Sequence, residues 1–260
     1  MRPFLGREAF PGPAIELAAA GGSFVGQAAF DGTIAWTQWP RAEVERLLPP
    51  DLELAANVAA PDLHPVVFVF GEQTHGAILF GGFTVPAGPD YWELAIAIPF
   101  VKHRRGRHLH VHVPRMYASY FPPVWNGNTH YGFGKELARM GWQGPIFLVT
   151  TAEGTLLVHA AVEPAGGWAP AEGCALPNLA ALRAAFALPV VGRKADGTFV
   201  SSYFGWDFTR AAVRPADSWV SIDAPLGAGL VPRECHDVAA GTFEVRGMLW
   251  RLTWPAACRF

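Results

Sequence analysis

At 260 residues the chain could be one large domain or two small ones, and 51% hydrophobic against 16% charged residues argue for a sizeable core rather than disorder. A formal charge of −2 gives no electrostatic reason to bind nucleic acid or an anionic membrane. No run approaches the ~18 uninterrupted apolar residues of a membrane span, and the cysteines (Cys174, Cys235, Cys258) are scattered without metal-ligand spacing. The apolar stretch 14–20 contains Glu16 and has no basic leader directly before it, so a reduced, cytoplasmic location is expected.

Glycine and proline recur at short intervals, which favours many strands and turns over long helices. The first strand is expected over 32–36. A helix over 41–48 should follow Pro40 and stop before Pro49-Pro50. Strands follow over 65–70, 77–85, 91–101 and 107–113, with the basic run Lys102-His103-Arg104-Arg105-Gly106-Arg107 read as a solvated loop. A short helix is expected over 135–140, ended by Gly141, then strands over 146–151 and 155–162. The stretch 164–176 reads as a surface loop within a single domain spanning 1–260. An amphipathic helix over 179–186 and strands over 198–204, 219–222 and 242–253 complete the chain. Many strands with few helices indicate a mainly antiparallel barrel or sandwich.

The nucleophile elbow, the zinc-protease helix motif and the dinucleotide fingerprint are absent. The segment 127–135 imitates a phosphate loop but has Thr129 at the first glycine position and Glu136 where a magnesium-binding hydroxyl belongs. His108, His110 and His112 alternate, so on a strand they would share one face, as either metal ligands or a polar wall. No cupin-type glutamate follows them, and no tightly bound metal is expected. Lysine is more informative. Only Lys102, Lys135 and Lys194 occur among 20 basic residues. A chain that uses arginine for generic charge, yet sets Lys135 after Tyr131-Gly132-Phe133-Gly134, invites a chemical reading, because lysine can lose its proton and act as a nucleophile.

The segment Phe133-Gly134-Lys135-Glu136-Leu137, with Met116-Tyr117, Pro122 and Gly127 upstream, resembles the lysine segment of the acetoacetate decarboxylase family. Tyr91-Trp92-Glu93 with Ile98-Pro99 resembles the stretch that carries the family's active-site glutamate. The residues 44–53 and the C-terminal Ser221-Ile222-Asp223, Pro225-Leu226 and Val231-Pro232 extend the similarity over roughly 35–254. The resemblance implies a mainly β fold, a cone-like antiparallel β-barrel with a few short peripheral helices. It implies an imine at Lys135, with Glu93 positioning the substrate or shuttling protons. Tyr91, Trp92, Met116, Tyr117, Trp125, Tyr131 and Phe133 would form the pocket, for a small oxo-acid or ketone. It further implies a homo-oligomer and no metal or organic cofactor.

Four departures bear on the reaction. Glu136 stands where the family has a second lysine, and Phe30-Asp31-Gly32-Thr33 lacks the first-strand arginine. A second glutamate is missing from 67–71, and the family's Gly-Arg-Glu becomes Gly127-Asn128-Thr129. Decarboxylation of a β-keto acid is the leading reading. Aldol addition with dehydration, a non-catalytic small-ligand barrel and a metal enzyme built on the three histidines stay open.

Overall fold

The structure, a computed structural model, describes residues 24–56, 62–172, 174 and 179–258. The stretch 14–20 lies outside them. In chain order the first strands are β1 (Phe24–Pro40), β2 (Leu52–Leu54), β3 (Leu63–Phe80), β4 (Phe83–Pro86), β5 (Tyr91–His103) and β6 (Leu109–Ala118). Next come β7 (Lys135–Leu137), β8 (Arg139–Gln143), β9 (Ile146–Thr150), β10 (Leu156–Pro164), β11 (Ala169–Pro170) and β12 (Val190–Arg193). The last are β13 (Phe199–Ser202), β14 (Phe204–Asp207), β15 (Ala212–Ile222), β16 (Arg233–Thr253) and β17 (Ala256–Ala257). Among the described residues, three short helices, α1 (Arg41–Glu45), α2 (Phe121–Asn126) and α3 (Leu179–Phe186), and one π-helical turn, Gly127–Tyr131, interrupt them. None of these helices is long and apolar enough to cross a membrane.

The pairings run in a circuit. β1 pairs with β3, β3 with β5, β5 with β6 and β6 with β7. Ala138 alone separates β7 from β8, and its N–H donates to the Ala118 carbonyl at 3.0 Å. From β8 the ladder passes through β9, β10, β15 and β16 back to β1. A sheet whose last strand bonds to its first is a barrel. In this circuit only the β6–β7 link is parallel. A second route leaves β6 through β12 and β13, and β14, one residue on, returns to β16.

Two apolar clusters result, one on each side of the shared strands. Val66, Phe68 and Phe70 enter one, and Val67 enters the other with Val69 packed against it. Burial on both faces explains why 66–70 reads as a continuous apolar run rather than an alternating one. The run 77–85, expected as one strand, is instead a hairpin. Gly81 and Gly82 adopt φ of 55° and 85° at its turn, a region glycine enters without a Cβ penalty. The helix expected over 41–48 is regular only to Glu45, and α3 spans its expected 179–186.

Three buried histidines make stability pH-dependent. Loss of hydration pushes the His64, His110 and His112 imidazoles down to about 4. The unfolded chain protonates such rings near pH ~6.5. Between those values the unfolded state holds more protons, so stability rises with pH and falls on acidification. Denaturant titration at pH 5 is expected to show a loss on the order of 2 kcal/mol per ring relative to pH 8. Equal stability at the two pH values would contradict this.

Candidate active site

Lys135 opens β7, a strand and not the expected helix. The reason is tertiary. The segment pairs in parallel with β6, Met116 opposite Lys135 and Tyr117 opposite Glu136. On its other edge the Asn128 side chain serves as a strand partner. Lys135 N–H donates to Asn128 Oδ1 and Asn128 Nδ2 donates to the Lys135 carbonyl, both at 2.8 Å. A primary amide carries one acceptor and a donor pair, so it can replace a peptide group here. The chain reaches this point through the π-helical turn and Gly132, whose φ is 65°. A Cβ on Gly127 would come within 3.2 Å of Lys135 Cδ, so the glycine lets the lysine stem pass.

Glu93 sits on β5 between Gly71 of β3 and Ala118 of β6. These small neighbours leave its side chain room. Lys135 Nζ donates to Glu93 Oε2 at 2.6 Å, with the two side chains only 8% and 14% exposed. Glu93 Oε1 faces Gln73 Nε2 at 3.5 Å, and Gln73 Oε1 accepts from Trp250 Nε1 at 2.7 Å. Charges this buried persist only when paired, so each holds the other in place.

Strand geometry also settles Glu136. Successive strand residues point to opposite faces; Lys135 is buried and Glu136 exposed, where it ion-pairs with the Arg115 guanidinium. The carboxylate therefore turns away from the amine by the strand alternation, not by the ~100° step of a helix.

The same alternation sorts the expected pocket. Tyr131 and Phe133 are buried and stack at 5.5 Å, and Met116 joins their cluster. Phe133 reaches the same Gly127 as the lysine stem. Tyr91 shares the Glu93 face, and burial plus the Glu93 charge push its phenol well above 10. Burial pushes the Tyr131 phenol up to about 12. Trp92 and Tyr117 belong to the opposite cluster, Trp92 meeting Phe147 at 5.9 Å. They stand apart from the amine because each is one residue off the required parity. Trp125, on α2, is 55% exposed and leans on His130.

His108 is exposed and precedes β6, so the three histidines do not form one strand face. His110 and His112 are buried with Nδ1 unbonded, and no group of three metal-ligating side chains occurs among the described residues. In the basic run, Lys102 and Arg104 pair with Glu53 at 2.9 and 3.4 Å. Cavities of about 340 and 400 Å³ include neither Lys135 nor Glu93. Trp206 lines the first of them and touches Phe204, which meets Phe133 at 6.4 Å, so aromatic rings join that cavity to the lysine's wall.

Gln73, Asn128 and Trp250 are polar contributors that sequence reasoning missed. The signal for Gln73 was a lone amide two residues beyond a glycine in an apolar strand, on the parity of Gly71 and hence of Glu93.

No family model matches the chain, and no curated protein matches it in sequence. Solved structures do match its fold. One is acetoacetate decarboxylase from Legionella pneumophila subsp. pneumophila str. Philadelphia 1, at 12% identity and TM-score 0.57, over 90% of this chain and 87% of that one. Another is an acetoacetate decarboxylase-like enzyme from Sphingomonas wittichii RW1, at 12% identity and TM-score 0.57, over 91% and 93%. A third is the enduracididine biosynthesis enzyme MppR, complexed with the condensation product of pyruvate and imidazole 4-carboxaldehyde, at 15% identity and TM-score 0.56, over 90% and 88%. The circuit of strands and these likenesses agree: the chain has the acetoacetate decarboxylase-like fold.

Proposed function

We propose that Lys135 forms an imine with the ketone of a small oxo-acid, and that Glu93 carries the protons this requires. One observation supports the reading above all: a buried amine 2.6 Å from a partly buried carboxylate. An amine adds to a carbonyl only when unprotonated, and an ordinary lysine is charged at neutral pH. Glu93 Oε2 lies where it can take the ammonium proton. The neutral nitrogen then bonds to the carbonyl carbon, Glu93 passes to the oxygen first the proton it took and then one of the two left on nitrogen, and water leaves as the iminium forms. With a carboxylate β to the original ketone, the C–C bond breaks, CO2 departs and its electrons pass into the enamine. Hydrolysis then frees the amine.

Aldol addition with dehydration is the second reading. It is favoured by the shared fold with MppR, whose structure holds a condensation product of pyruvate, and by the absence of the second lysine at Glu136. There the iminium loses an α-proton and the enamine attacks an aldehyde.

Sodium borohydride added with acetoacetate or with pyruvate should leave a reduced adduct visible in the intact mass. Acetone release from acetoacetate is expected to be slow. Rapid release would favour decarboxylation of acetoacetate itself, and no adduct with either compound would contradict the imine.

A further inference from the structure

We infer that Gln73, fixed by Trp250, is a positioning residue for Glu93: it faces Oε1 and so leaves Oε2 turned toward the lysine amine. The inference rests on the imine reading. An indole N–H can only donate, so Trp250 Nε1, at 2.7 Å, must meet the oxygen of the Gln73 amide. A flipped amide would set N–H against N–H there and oxygen against carboxylate at Glu93. Trp250 therefore leaves the amide nitrogen facing Glu93 Oε1, at 3.5 Å.

Glu93 then divides its two oxygens between two donors, Oε1 toward the Gln73 amide and Oε2 toward Lys135 at 2.6 Å. Gln73 is only 5% exposed, so solvent cannot take over its part. The three side chains come from β3, β5 and β16, and the barrel ladders hold them in register. Among the described residues, Lys135 from β7 and Tyr91 on its own strand are the titratable groups set against Glu93; Gly71 and Ala118 opposite it carry no charge.

The pair reacts when it holds one proton between amine and carboxylate. A second proton, on Glu93, stops proton transfer and sets the acid limb of the rate. A hydrogen bond donated to a carboxylate favours its charged form. Gln73→Leu removes that donor, so the acid limb should move to higher pH. The base limb, where the last proton leaves the amine, should stay, since the amine keeps the same neighbour. Trp250→Phe retains Gln73 but lets its amide turn, and should shift the acid limb in the same direction by less.

The measurement is the rate of cyanoborohydride trapping of pyruvate and of acetoacetate across pH, for the unaltered protein and both variants. Circular dichroism at each pH keeps unfolding separate. Trp250→Phe gives the reading if Gln73→Leu does not fold. An upward shift of the acid limb alone supports the inference. Coincident pH profiles, with adducts still forming on Lys135, would overturn it and leave the imine reading standing. Absence of any adduct in the unaltered protein would overturn both.

Discussion

Lys135→Arg is expected to abolish borohydride trapping and to lower turnover by on the order of 10³-fold or more. Arginine keeps a positive charge opposite Glu93 and can bond that carboxylate through two N–H groups, so the partly buried acid does not lose its partner. It cannot offer a neutral amine at working pH. The substitution therefore removes the nucleophile while sparing the electrostatics. Lys135→Ala is a poorer probe. It would strand Glu93 in a site where that side chain is only 14% exposed, and losing one member of a buried pair costs about 3–5 kcal/mol. A folded Lys135→Arg protein that still turned over an oxo-acid would show that the amine is not the reacting group.

Gly192→Ala should be among the most damaging changes outside the ion pair. A Cβ on Gly192 would lie 1.9 Å from the Tyr131 carbonyl oxygen, and one on Gly132 would lie 2.6 Å from the Arg193 backbone. Two glycines thus let β12 and the loop leading to Lys135 touch main chain to main chain, sealed by Arg193 N–H donating to the Gly132 carbonyl at 3.2 Å. An added methyl has only backbone to push against, and relief requires moving the loop. The expected cost is about 3 kcal/mol or more in denaturant unfolding. Since Asn128 in that loop clamps the Lys135 backbone, trapping should fall as well. Unchanged stability would mean the two segments are not seated this closely.

The strands were legible because half-buried and doubly buried runs leave different marks, alternation in one case and unbroken Val-Phe repeats in the other. What failed at 135–140 was local propensity against tertiary pairing. Lys135-Glu136-Leu137 suits a helix, but parallel pairing to β6 and the Asn128 amide offer its backbone a ladder on both sides. Helix α2 was overlooked although Pro122-Pro123 occupies its first turn, where a missing N–H costs nothing. At the site, the scarcity of lysine marked Lys135, the family resemblance added its imine role and Glu93, and the structure sets the two 2.6 Å apart. The pocket was less legible. Trp92 and Tyr117 adjoin the right residues in sequence, but period-two alternation sends them into the opposite cluster. Gln73 and Trp250 stand 177 residues apart, and only the β1 ladders to β3 and β16 bring them together.

Of the three lysines, Lys135 is the one proposed to carry the chemistry. Lys102 lies against Glu53 with a third of its side chain exposed, and Lys194 sits at the tight turn entering β13, whereas Lys135 is 8% exposed against Glu93. Lys102 also has a carboxylate in contact, so burial is what distinguishes Lys135. Peptide mapping of protein reduced with borohydride in the presence of pyruvate or acetoacetate tests this directly. The expected result is a single modified peptide containing Lys135, lost in Lys135→Arg; an adduct on Lys102 or Lys194 instead would contradict the assignment.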